Sequence, residues 1–121
     1  MNVSLEDVLE EFRLLPAFVG IDLSGPNVKG NFGEYPLHVA VLSNNLDFVE
    51  VLLISKADIN QKGEHGYAPL HESIEQENFE ITKFLVEQGA DLEIENNDGI
   101  SSIEMIKNTK NKKWLELIEE A

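Results

Sequence analysis

A chain of 121 residues, 42% apolar and 26% charged, suits one small folded domain and leaves no room for a catalytic domain beside a regulatory one. Its formal charge of -14 repels phosphate backbones and anionic lipid, which argues against nucleic acid and membrane as partners and favours a basic protein. It has no cysteine for disulfides, thiol nucleophiles or thiolate metal sites; it also lacks an apolar run of membrane-spanning length, and its acidic start "MNVSLEDVLEEF" is unlike a signal peptide, so a soluble cytoplasmic protein is expected.

The first predicted element is a helix. In "SLEDVLEEFRLL", Ser4 and Asp7 have capping-box spacing, and Leu5, Val8, Leu9, Phe12 and Leu15 fall on one stripe. Pro16 and "GIDLSGPNVKGN" end it in a loop. Residues 1–29 are therefore expected to form an N-terminal capping helix and loop; the acidic polar face argues against a helix lying on a membrane.

From residue 30 the chain repeats itself. "FGEYPLHVAVLSNNLDFVEVLLISKADIN" lies over "HGYAPLHESIEQENFEITKFLVEQGADLE" without a gap, at a period of 33 residues. Gly33, Gly66 and Gly99 match, as do Pro36 and Pro69, Leu37 and Leu70, His38 and His71, Asn45 and Asn78, Leu52 and Leu85, and the Ala-Asp pairs at 57–58 and 90–91. Apolar residues recur at helical spacing in two bursts per period, predicting two short helices in each. Pro36 and Pro69 suit the first helical position, Gly89 and Asn44 suit left-handed turns, and the three matched glycines suit tight loop tips.

This pattern resembles the ankyrin repeat, whose Gly-x-Thr-Pro-Leu-His, helix pair and Gly-Ala-Asp are met by "GEYPLH" and "GYAPLH" with "KADIN" and "GADLE". The resemblance covers residues 30–62 and 63–95 as two full repeats and 96–121 as a degenerate C-terminal capping repeat. It implies an all-α fold, a short solenoid of stacked helix pairs joined by hairpin-like loops. It also implies a structural role for His38 and His71, which would bond groups near the next turn. Three departures predict local costs: Tyr35 and Ala68 replace the capping threonine, Lys56 replaces the glycine after the second helix, and Glu77 stands where the family prefers glycine. In the last repeat Ser101, Ser102 and Glu104 take the cap, proline and histidine positions.

Little in the sequence points to catalysis. "PLHESIE" holds His-Glu-x-x-Glu, and His71 and Glu75 at helical spacing are two of the ligands a zinc site needs, but no third donor is evident. There is no nucleophile elbow and no phosphate-cradling loop. No enzyme activity, metal or cofactor is expected; a metal-dependent hydrolase on His71, Glu72 and Glu75 stays open as a remote alternative.

The resemblance instead places binding on the face made of loop tips and first helices. The candidate contacts are Asn31, Phe32 and Glu34 in the first repeat; Glu64, His65, Tyr67, Glu72, Glu75 and Gln76 in the second; and Asp98 and Ile100 in the third. Residues 63–95 carry nine acidic side chains against the single Lys83, while residues 30–62 carry four against two lysines. Lys110, Lys112 and Lys113 read as a small basic loop. The expected function is a protein-binding module, monomeric when free, that masks a basic partner. Acidic ankyrin-like chains of this size resemble bacterial immunity proteins, which implies a cognate toxin domain, such as a nuclease, as the partner. A generic adaptor that joins two proteins through Phe32, Tyr67 and Ile100 is the alternative.

Overall fold

The structure, a computed structural model, describes residues 3–120; Met1, Asn2 and Ala121, which belong to the expected terminal caps, lie outside the described residues. Its regular elements are helical: α1 (Leu5–Arg13), α2 (Pro36–Leu42), α3 (Leu46–Ile54), α4 (Pro69–Glu75), α5 (Phe79–Glu87), α6 (Ser102–Thr109) and α7 (Lys112–Glu120). The starts of α2, α4 and α6 step by 33 residues, and so do those of α3, α5 and α7. The fold is therefore all-α and built of helix pairs, and the third pair keeps the register although its sequence has drifted.

The chain divides into two compact units, Met1–Asp58 and Ile59–Ala121. In the N-terminal unit α2 pairs with α3, and α1 packs on α3. The capping box of α1 is formed: Ser4 Oγ accepts the Asp7 N–H at 3.1 Å, and Asp7 accepts the Ser4 N–H at 3.0 Å, bonds that hold the Asp7 carboxyl below its usual range. Val8, Leu9 and Phe12 are its buried stripe, and the Phe12 ring stacks with Phe18 at 6.2 Å and meets Phe48 edge-on at 5.7 Å. The loop after α1 is part of this core, for Phe18 and Leu23 are buried and Arg13 ties it by donating to the Leu23 carbonyl at 3.0 Å. Each such buried apolar side chain stabilises by about 1.5–3 kcal/mol.

In the C-terminal unit α4 pairs with α5 and α6 with α7, while α4 packs on α6 and α5 on α7, giving one layer of first helices and one of second helices. Leu70, Ile74, Ile81, Leu85, Ile106, Trp114 and Leu117 form its apolar interior. Two hydroxyls sit among them: Thr82 Oγ1 lies 2.8 Å from Ser73 Oγ and 2.8 Å from the Asn78 carbonyl, and Ser73 Oγ donates to the Leu70 carbonyl at 2.9 Å.

The departures from the repeat pattern have visible consequences. Tyr35 and Ala68 make no side-chain cap bond, but the histidine at the third helical position accepts the cap residue's own N–H, Tyr35 to His38 Nδ1 at 3.1 Å and Ala68 to His71 Nδ1 at 3.0 Å. This supplies half of a capping box and moderates the loss expected from the missing threonine. In the third repeat Ser101 and Glu104 make both halves. Lys56 and Glu77 adopt positive φ of 74° and 56°, a left-handed conformation that costs a side chain about 1 kcal/mol or more. His65 does the same at 59°, which the sequence did not signal.

Each loop tip is a tight hairpin closed by the same bond, Gly30 N–H to the Glu34 carbonyl, Gly63 to Tyr67 and Asn96 to Ile100. Gly66 is required at its tip: φ is 72°, and a Cβ there would meet the Asn97 backbone nitrogen at 2.8 Å. Asparagines then tie loops at long sequence separation, Asn27 Oδ1 accepting the Asp58 N–H and Asn60 Oδ1 the Asp91 N–H, both at 2.9 Å.

Candidate functional site

The second repeat assembles a surface around Tyr67. Tyr67 follows a single 3₁₀ turn, Glu64–Gly66, and leads into α4, whose N-terminus is set by Pro69. The His71 imidazole is fully buried and fixed at both nitrogens: Nδ1 accepts from Ala68, so Nε2 carries the proton and donates to the Ile100 carbonyl at 3.0 Å. Burial pushes its pKa down and keeps the ring neutral. The Tyr67 ring rests against this imidazole at 5.3 Å, with His65 meeting it edge-on at 6.4 Å.

The tyrosine in turn fixes a carboxylate. Its hydroxyl donates to Glu75 Oε2 at 2.6 Å, and this bond, with burial, raises its own pKa to about 12. Glu72, one turn back on α4, is half-buried, and its pKa is raised to about 7, first by burial and then by repulsion from Glu75 and Glu64, with His65 acting in the opposite sense. Glu64 lies 3.2 Å from the His65 ring, both exposed. Asp98 is exposed on the next tip, and its charge also reaches Tyr67. Among the described residues none of these carboxylates is paired with a lysine or arginine. The arrangement can therefore receive cationic groups at carboxylate oxygens that no lysine or arginine among the described residues neutralises.

The other expected contacts are less uniform. Ile100 is 38% exposed on the third tip, and Gln76 is exposed at the C-cap of α4. In the N-terminal unit Phe32 is 57% exposed, but its neighbours serve the scaffold: the Asn31 amide donates to the Pro16 and Val19 carbonyls at 3.0 and 2.9 Å, and Glu34 accepts the Phe32 N–H at 3.1 Å. The sequence reading missed Asn96, a buried residue whose Oδ1 accepts the N–H groups of Asp98 and Ile100 and shapes that tip. Its position, matching the glycines at 30 and 63, was the available signal.

His-Glu-x-x-Glu has no free imidazole lone pair, because the scaffold occupies both nitrogens of His71. Among the described residues no three His, Cys, Asp or Glu side chains gather as a metal-holding group, and no helix is long and apolar enough to cross a membrane.

No curated protein matches the chain. A family model described as ankyrin repeats, in three copies, matches residues 7–96, beginning inside α1 and ending before α6. Repeats of this kind typically serve as non-catalytic modules that bind proteins. With that match spanning most of its length, and helix pairs at a period of 33, the chain belongs to the ankyrin-repeat family.

Proposed function

We propose that the chain is a non-catalytic inhibitor of the immunity type, which masks a basic toxin domain with the carboxylate surface around Tyr67. The observation that carries this reading is the group of Glu64, Glu72 and Glu75, paired with no lysine or arginine among the described residues, beside a tyrosine held by its bond to Glu75 and by the His71 ring. A protein selected only for stability has no reason to keep a half-buried carboxylate against two others, whereas a partner's arginine or lysine relieves that repulsion on binding. Tyr67 adds a rigid aromatic contact of the sort that dominates protein interfaces. A nuclease domain, basic where it holds phosphate, fits such a surface by occupancy.

The test is co-expression with the product of the adjacent reading frame. A salt-sensitive complex that is lost in Glu72→Lys with Glu75→Lys, together with loss of protection from that product's toxicity, supports the proposal. A complex indifferent to both salt and the double change sinks it. The adaptor reading gains if Phe32→Ala, Tyr67→Ala and Ile100→Ala matter while the charge changes do not.

A further inference from the structure

The layer of second helices carries a different surface. Between α5 and α7 lies a groove of about 240 Å³ lined by Phe79, Lys83, Lys113, Glu116 and Leu117. Its floor is aromatic: the Phe79 ring meets Trp114 edge-on at 5.3 Å, and Trp114 is buried behind it. Lys113 Nζ stands 4.0 Å above the Phe79 ring centroid, a cation–π contact that fixes the ammonium at the groove. Among the described residues neither Lys113 nor Lys83 is ion-paired.

Charge sets this place apart. Residues 105–115 contain Lys107, Lys110, Lys112 and Lys113 and no acidic residue, so four of the chain's nine cations lie in eleven residues of a molecule at -14. Glu116 shares the groove, and Glu80 and Glu87 flank Lys83 on α5, so the cations open to a ligand are Lys83 and Lys113 and those of the adjoining α6–α7 loop. Charges act over about 8 Å at physiological salt. A short acidic segment in the groove therefore meets the lysines, whereas a long polyanion such as nucleic acid meets the acidic remainder of the protein as well.

We infer that the α5–α7 groove is a second docking surface, for a short acidic segment of a partner protein that sets one apolar side chain against Phe79 and Leu117 and its carboxylates against Lys83 and Lys113. This surface is independent of the one around Tyr67. It gives the module two faces of opposite preference.

Trp114 is the only tryptophan, so its emission reports on the groove. The full chain is titrated with the blocked peptide Glu-Glu-Leu-Glu-Glu, and a saturable change in emission is expected. Binding should weaken about tenfold in Lys83→Gln with Lys113→Gln, the sum of two exposed charge contacts. Both lysines are exposed, and an unchanged circular dichroism spectrum verifies the fold of the variant. Replacing the peptide's leucine with serine should weaken binding several-fold. The inference is overturned by no saturable response, by a response the lysine changes leave intact, or by equal binding of the serine peptide. An equal response to a thymidine decamer or to phosphatidylglycerol vesicles overturns it in favour of a nonspecific anion surface. Emission that varies with protein concentration alone overturns it in favour of a second copy of this chain.

Discussion

The first and second repeats share a frame and differ in what they put on it. Both have proline at the first helical position, a buried histidine two residues later, an asparagine capping the second helix and a fully buried leucine near its end, Leu52 or Leu85. Yet Val39 and Leu42 become Glu72 and Glu75, and the buried Ala40 and Val49 become Ser73 and Thr82. The frame thus tolerates both an exposed charge set and a buried hydroxyl pair, provided the hydroxyls bond each other and the helix backbone. Surface chemistry and core chemistry change together in the second repeat, while the positions that fix helix ends do not.

The largest expected effect tests whether the frames are equivalent. Leu52→Ala and Leu85→Ala should each cost about 3 kcal/mol by urea unfolding, since both side chains are fully buried. A much smaller cost for one would show that the two cores are not built alike. Next, Thr82→Val alone should cost about 1–2 kcal/mol by taking a partner from Ser73, while Ser73→Ala with Thr82→Val, which restores the first repeat's chemistry, should recover most of it. No recovery in the double variant would show that the hydroxyl pair is not the unit that matters.

The charge set can be separated by pH. Glu72 is raised to about 7 when folded and sits near 4.3 when unfolded, so the folded state binds more protons between those values. Its contribution is therefore favourable at low pH and is lost as pH rises through about 7. Glu72→Gln should stabilise the protein at pH 8 by roughly 1 kcal/mol, allowing for solvent screening of a half-exposed group, and flatten this part of the pH profile. His71 contributes the opposite slope: its folded pKa is depressed, so its stability is present above the unfolded value near 6.5 and falls away as pH drops below it. The variant should therefore be left with a profile that declines toward acid. The smallest effect concerns the third repeat, where the buried Ser102 hydroxyl has no hydrogen-bond partner among the described residues, at the position Pro36 and Pro69 hold. Ser102→Pro should stabilise by about 0.5–1 kcal/mol, read as a shift in the unfolding midpoint.

The frame was legible because it rests on residues with few substitutes: the matched glycines, Pro36, Pro69 and the two histidines declare the period, and the helices start where that period places them. The sequence also offered Glu72 and Glu75 as candidate contacts of the second repeat. It did not give the bond from Tyr67 to Glu75, because a hydrogen bond across a loop depends on a hairpin geometry that periodicity does not encode. The drifted last repeat read as degenerate, yet α6 and α7 keep their register, since Ser101 and Glu104 cap by another route what proline and histidine set elsewhere. Phe18, Leu23 and the asparagine ties lay in stretches whose loop composition hid their burial and bonding.

Those ties also bear on how the molecule moves. Asp58 and Asp91 are exposed loop residues whose amides would ordinarily exchange with solvent quickly, but each is held by an asparagine 31 residues earlier in the chain. Each can open only when segments far apart in sequence separate at the same moment. The smallest part free to fluctuate is then a helix pair together with the loop before it, and slow hydrogen exchange at two surface amides would be its signature.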